Sequence, residues 1–416
     1  MGDRHSERRE RFKARLLEDA GGRNAVAVFF SGAEQGLQGF QVDPGFYYLT
    51  GIEMAAAALA FTATGGKAAE ALFLPESNPA TERWTGKVLA AGGLTRSADP
   101  DEIRQGASRA TGVEAISPYH HLESALARPF RDAELLYLDF GHEESPCRAV
   151  EAFGEHAARR FPYLQFRHAG RLLGDLRRVK DTSEVKLMRE SARITDDAHR
   201  AVLGHLRPGL AEYEIQALVE YVFKSRGSRH SAFASMVGSG PNSCVLHYER
   251  NDRRMKRGDL VVCDIGCRKE LYCADVTRTY PVSGRFTRRQ AKIYGIVLEA
   301  QQAAIEAARP GAFVRDLHAA ATGVISKAGF AKQFFHGTGH YLGLEAHDVG
   351  SYEKPLEPGV VVTVEPGIYI AEENLGVRIE DDVLVTVGGA EVLSSAPKAA
   401  AEVERALSAK RRVIVI

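Results

Sequence analysis

Short apolar runs alternate with helical patterns over the first 170 or so residues of this chain, and long amphipathic helices followed by clustered strands fill the rest. The charged opening MGDRHSERRERFKARLL predicts an amphipathic helix, and AVAVFF (25–30), ALAFTAT, EALFLP and AELLYLDFG (133–141) predict strands, the middle two turning at Gly65-Gly66. FYYLTGIE (46–53) runs into a glycine turn, and helices are expected near 79–91 and 120–127. Two long amphipathic helices follow, 182–204 and 212–226, the first capped by Thr182 or Ser183 with Glu184 in its first turn. Then GDLVVCDIG, YCADVTRTYPVSG, GVVVTVEPGIYI and GVRIEDDVLVT read as turn-bounded strands, with helices at 287–308 and 314–328 between them. This predicts a smaller α/β domain over 1–172 and an α+β domain over 173–416, its helices covering one face of an antiparallel sheet.

Acids interrupt those apolar strands at chosen places. A hairpin in DLVVCDIGCRKELYCADVTRTYPV turning at Lys269-Glu270 sets Asp264 opposite Asp275. A second, in VVVTVEPGIYIAEENLGVRIEDDVLV and centred on Glu372-Glu373, sets Glu365 opposite Glu380, with Pro366 breaking one ladder. Opposed side chains on one face lie about 5 Å apart, so each pair repels unless a cation lies between them. Near them His336 to Asp348 reads HGTGHYLGLEAHD, three histidines among glycines, without the helical H-E-x-x-H pattern of zinc peptidases. Four carboxylates with an imidazole are too many for one structural zinc and suit two divalent ions, manganese before cobalt, zinc or iron. Such a pair activates a water and polarises a carbonyl, so hydrolysis is the expected chemistry.

Composition narrows the setting. With 416 residues, 44% of them hydrophobic, the chain exceeds one ordinary core. Its 54 basic and 54 acidic residues balance, which gives no electrostatic footprint for nucleic acid. No apolar run approaches the roughly 18–20 residues of a membrane span, and the N-terminus does not read as a secretory signal. Five cysteines without a CxxC fit a reduced, cytoplasmic protein, and Cys263, Cys267 and Cys273 read as buried thiols rather than zinc ligands.

The motifs CDIG, ADVTRT, HGTGH, VEPGIY and RIEDD occur in that order over about 115 residues, and they resemble the pita-bread metallopeptidases, the group of methionine aminopeptidase, prolidase and aminopeptidase P. The resemblance implies a pita-bread catalytic domain with Asp264, Asp275, His340, Glu365 and Glu380 as ligands of two metals. It implies that His336 and His347 hydrogen-bond the substrate, that His247 does so near the scissile carbonyl, and that a metal-bridged hydroxide attacks the bond before proline. Glu365 is the residue implied to carry a proton to the leaving nitrogen. Arg378 matches an arginine of the proline-specific branch, placed to orient Glu380 or Asp264, to meet substrate or to form a structural ion pair. Tyr369 either lines the cleft or is a core aromatic.

GFYYLTGIE and LPESNPATERWTGKVL resemble the amino-terminal domain of aminopeptidase P and prolidase, which methionine aminopeptidase lacks. An acid that relatives often carry before this run is replaced by Gly45, and Asp43 is a candidate to take over its role. Trp84 matches a tryptophan that in some relatives reaches a neighbouring subunit, with a core anchor as the other reading; a homo-oligomer, dimer or tetramer, is expected. The resemblance favours an Xaa-Pro aminopeptidase acting on peptides with proline second. Prolidase, which splits Xaa-Pro dipeptides, is the alternative. A non-catalytic peptide-binding module or a metal-free creatinase-like hydrolase is disfavoured because all five ligands are kept. The terminal KRRVIVI has no assigned role beyond a possible last strand.

Overall fold

The computed structural model describes residues 2–32, 40–76, 80, 83–84, 100–140 and 148–409. They form two compact units, Met1–Leu176 and Arg177–Ile416. No helix among the described residues is long and apolar enough to cross a membrane.

In the first unit β1 (Ala25–Phe30), β2 (Ala58–Thr64), β3 (Lys67–Leu74), β4 (Ile116–Pro118), β5 (Leu135–Leu138) and β6 (Gln165–His168) make one sheet, in the order β4-β3-β2-β1-β5-β6. β1, β2 and β3 pair antiparallel, whereas β4, β5 and β6 join parallel. Both faces of β1 are buried: Val26, Val28 and Phe30 pack with Leu122, Leu126 and Phe130. On the other face Phe29 meets Phe12 of the N-terminal helix Gly2–Ala20 at 5.1 Å between ring centroids. The β2–β3 hairpin turns at Gly65-Gly66 as its sequence predicts. The apolar pattern did not mark β6, because every one of its residues is exposed and no alternation is imposed on it.

FYYLTG is helical, Pro44–Thr50, and Asp43 accepts from the Phe46 N–H at 2.8 Å as its N-cap. A Cβ at Gly45 would lie 2.8 Å from Leu173 Cδ2 and 2.9 Å from an Asp139 carboxylate oxygen, so an acid here would require those side-chain ends to shift, and Asp43 caps the helix. Trp84 is 90% exposed, which removes the core-anchor reading. The helix expected near 79–91 lies almost wholly outside the described residues, as does the terminal stretch 410–416.

The second unit repeats one plan. Helices Thr182–His205 and Glu212–Ser225 precede β7 (Met236–Ser239), β8 (Leu260–Ile265), β9 (Arg268–Lys269), β10 (Tyr272–Cys273) and β11 (Val276–Pro281). Helices Arg288–Ala307 and Val314–Lys327 then precede β12 (Val361–Val364), β13 (Gly367–Ile370), β14 (Leu375–Arg378), β15 (Asp381–Thr386) and β16 (Gly389–Val392). The cap of the first helix is Asp181, not Thr182 or Ser183: its carboxylate takes the Ser183 and Glu184 N–H groups while Glu184 returns a bond to the Asp181 N–H. Among the described residues all strand pairs in this unit are antiparallel.

Alternation along the strands separates core from site. Val261, Cys263 and Ile265 face the core that Ile194, Ala198 and Val202 build from the helical side. Val362, Val364, Val377, Ile379, Val383 and Val385 face the second core with Ile293 and Val297. The residues between them, Asp264, Arg378 and Glu380 included, point to the opposite face.

Candidate metal centre

The second hairpin has the predicted register. Gly367 pairs with Arg378 and Val364 with Asp381, so Glu365 and Glu380 sit across the break that Pro366 makes between the two ladders. The first is offset by two residues. Asp264 pairs with Thr277, because the chain reverses at Glu270 and Leu271, both with positive φ (45° and 66°), rather than at Lys269-Glu270. An offset of two preserves the face, so Asp275 remains on the side of Asp264, diagonal rather than opposite.

His340 is held against the edge of β12. Its N–H donates to Thr363 Oγ1 (3.1 Å), its carbonyl accepts from the Thr363 N–H (2.9 Å), and the Glu365 N–H donates to the Thr338 carbonyl (2.8 Å). A Cβ at Gly339 would stand 1.9 Å from the Thr363 carbonyl oxygen, so this approach requires the glycine between the motif's histidines. His340 Nδ1 donates to the Tyr341 carbonyl (3.1 Å), which leaves Nε2 as the free lone pair, 3.5 Å from Asp275 and 3.8 Å from Glu365.

Ligand atoms of Asp275, His340 and Glu380 lie within 4.8 Å of one another. Asp264 Oδ1 is buried without a hydrogen-bond partner, while its other oxygen takes Arg378 Nη2 at 2.6 Å. Burial first, and then the neighbouring acids, push Glu365 and Glu380 up to about 8 and raise Asp275 well above the usual carboxylate range. Asp382, whose carboxylate accepts from the Asp275 N–H at 3.1 Å, is raised by burial and then by Glu380. Such a set of mutually repelling carboxylates, with one oxygen unpartnered and one imidazole lone pair presented, fits divalent cations bound mainly by oxygen.

A directed chain of hydrogen bonds backs this centre. Arg378 donates to Asp264, to Thr277 Oγ1 (3.3 Å) and to Tyr369 Oη (3.1 Å); Tyr369 must then donate to His336 Nε2 (3.0 Å), and His336 Nδ1 to the Gly337 carbonyl (2.7 Å). Thr277 in turn donates to Glu380 at 2.6 Å. Of the roles left open for Arg378, the structure shows the bond to Asp264; Tyr369 is a bonded member of the site wall. Burial and then Arg378 lower His336 to about 4, so it stays neutral, and its ring meets a substrate only by giving up one of these two bonds. His347 stacks edgewise on His340 at 4.2 Å, and His247 is exposed, close enough to His336 for its charge to lower that residue. Replacing Arg378 with alanine strands the buried Asp264 charge and is expected to lower the unfolding free energy by about 3–5 kcal/mol in metal-free protein, read by denaturant titration. A loss below about 1 kcal/mol would show that the pair contributes little.

Two contributors, Arg177 and Lys180, lie outside the motifs. Arg177 donates to Glu345 (2.8 Å) and to Asp348, and Lys180 to Asp348 (3.2 Å), so two buried cations tie down the end of the histidine loop. Asp381, adjacent to Glu380, falls on the core side. Burial acts to raise it, but Arg278 and Lys398 outweigh burial and hold it at about 2. The three cysteines around β8–β10 are buried free thiols, raised by burial.

Residues 186–387 match the Metallopeptidase family M24 model, and residues 5–137 match that of the aminopeptidase P N-terminal domain. The Xaa-Pro aminopeptidase of Haemophilus influenzae is 33% identical over 401 residues, covering 89% of each chain. The chain belongs to metallopeptidase family M24. Within the family its fold is that of the two-domain aminopeptidase P proteins: the structure of Pseudomonas aeruginosa aminopeptidase PepP superposes with a TM-score of 0.84, at 32% identity over 98% of each chain. Family membership makes it a metallo-exopeptidase that uses divalent metal ions. An Xaa-Pro dipeptidase of Pyrococcus horikoshii is also similar, 37% identical over 246 residues, 58% of this chain and 70% of its own.

Proposed function

We propose that this enzyme removes the first residue from peptides whose second residue is proline, using two divalent ions held by Asp264, Asp275, His340, Glu365 and Glu380. The observation that carries the reading is the convergence of Asp275, His340 and Glu380 beside the unpartnered oxygen of Asp264. When bound, the ions supply an activated water and polarise the scissile carbonyl. The chain's own groups do the rest. Glu365 takes the proton from the nucleophilic water and delivers it to the proline nitrogen, which is tertiary in the substrate and must be protonated as the C–N bond breaks. Arg378 orients Asp264. His247 and His347 stand on the exposed side and hydrogen-bond the peptide, with His336 joining once it exchanges a partner.

Oxygen-rich ligation supports manganese before cobalt, zinc or iron. A dimer or tetramer in the cytoplasm is the accompanying proposal, the oligomer supported by the resemblance of Trp84 and the compartment by the cysteine usage. The dipeptidase relative keeps prolidase as the second reading. Incubating the metal-loaded enzyme with an Xaa-Pro dipeptide and the matched Xaa-Pro tripeptide separates them. The tripeptide alone is expected to be cut. Cleavage of the dipeptide alone would select prolidase, and cleavage of neither at full metal occupancy would point to a peptide-binding module.

A further inference from the structure

The stretch between β7 and β8 that carries His247 contains one short 3-10 turn, Gly240–Cys244, and little other regular structure. One carboxylate gives it shape. Glu212, the first residue of helix Glu212–Ser225, is completely buried, and every hydrogen bond its carboxylate accepts from this stretch comes from a neutral donor. Its Oε1 accepts from the Ser239 N–H (2.7 Å), from Ser239 Oγ (2.7 Å) and from Asn242 Nδ2 (3.2 Å). Its Oε2 accepts from Tyr248 Oη (2.8 Å) and from the Arg253 N–H (2.9 Å). These four partners bracket His247 from both sides, and Tyr248 is its immediate neighbour. Burial, and then the bond to Glu212, push the Tyr248 phenol up to about 12, so it remains a proton donor throughout the neutral range. The 3-10 turn is itself docked on the strand of Arg378, since the Gly376 N–H donates to Ser243 Oγ at 2.8 Å.

We propose that Glu212 is a positioning residue of the active site: its buried carboxylate fixes the stretch 239–253 against β14 and thereby sets His247 for the substrate. The proposal rests on the substrate-binding role given to His247 above. Both oxygens are required. Each accepts one backbone N–H, Ser239 on Oε1 and Arg253 on Oε2, and a backbone donor cannot reverse its bond. An amide at this position serves only one of the two and turns its own NH2 toward the other. The N-terminus of the helix further favours the negative charge.

The test compares Glu212→Gln in the wild-type enzyme and in a His247→Ala background, with saturating divalent metal and an Xaa-Pro tripeptide. With His247 present, Glu212→Gln is expected to lower kcat/KM about tenfold or more, with metal content unchanged. With alanine at 247 the same change is expected to cost less than about threefold, because the two residues act through one another. Tyr248→Phe removes one bond to Glu212, together with the hydroxyl's contacts to Asp252, and leaves both backbone bonds to Glu212; it should show a smaller loss that also vanishes in the His247→Ala background, and it carries the test should Glu212→Gln not fold. The His247 ring 1H–13C signal, read by NMR without turnover, is expected to move in both variants. Equal losses in both backgrounds, or an unmoved His247 signal, would overturn the proposal. A wild-type enzyme that cuts neither peptide would overturn the assigned activity instead, and the NMR arm would still decide the role of Glu212.

Discussion

Replacing Glu365 with glutamine is expected to reduce kcat by about a thousandfold while the protein stays folded, within the range that loss of a positioned general acid–base group produces. Glutamine keeps the shape and the backbone bond to Thr338, so β12 and the histidine loop have no reason to move. It cannot hold a labile proton, and that is the property the reaction needs. Burial, followed by repulsion from Glu380, already makes Glu365 a carboxyl with unusual affinity for a proton, at about 8. The substitution also removes one negative charge from a crowded cluster, so the metal-free variant should melt no lower than the metal-free parent above pH 7. Turnover must be compared at equal bound metal, since Glu365 is also a proposed ligand. A variant within tenfold of the parent under those conditions would take the proton-carrying role away from Glu365.

The second large effect concerns the metals and pH. In metal-free protein, Glu365 and Glu380 are lifted from 4.5 to about 8, and Asp275 and Asp382 are raised as well. A raised carboxyl means that the folded chain binds more protons than the unfolded chain between those limits. Stability from these groups is therefore full below about pH 4.5 and is lost as pH rises through about 8, a change on the order of several kcal/mol. Divalent ions bind the deprotonated ligands, so their stabilising effect must grow over the same window. Calorimetric melting of metal-free and metal-saturated protein from pH 5 to 8.5 should show the two melting temperatures diverging as pH increases. A constant gap would mean that the carboxylates do not share ions. Activity is expected to vanish on chelation and to return with added divalent metal.

Much of this site was legible in the chain. Strand periodicity alone sets the face of each acid, and a two-residue slip, such as the one at Glu270-Leu271, leaves that face unchanged. The AEENLG turn fixed the second register because it lies midway between Glu365 and Glu380 and reverses at Asn374 in the left-handed region (φ 52°). The cap at Asp181 lies one or two residues before Thr182 and Ser183, the positions the sequence suggests, since neighbouring Asp, Thr and Ser are all competent caps and only the backbone turn chooses among them. Polar supports were illegible for a different reason. Glu212, Arg177, Lys180 and Arg278 look like surface charges in a sequence, yet each is buried against partners far away in the chain, 27 to 171 residues off for Glu212 with Ser239 and Arg177 with Asp348.

The sequence by itself determined which residues are apolar at strand period, which acids share a face, and where glycine permits the histidine loop to approach a strand. Those are local properties, set by bond geometry and by the two-residue repeat of a strand. Tertiary structure alone decided that two hairpins and one loop, drawn from separate halves of the unit, bring their acids to a common point, and which distant side chains hold them there. That convergence depends on how the two helix-backed cores pack, and packing energy is shared among contacts that no single stretch of sequence contains.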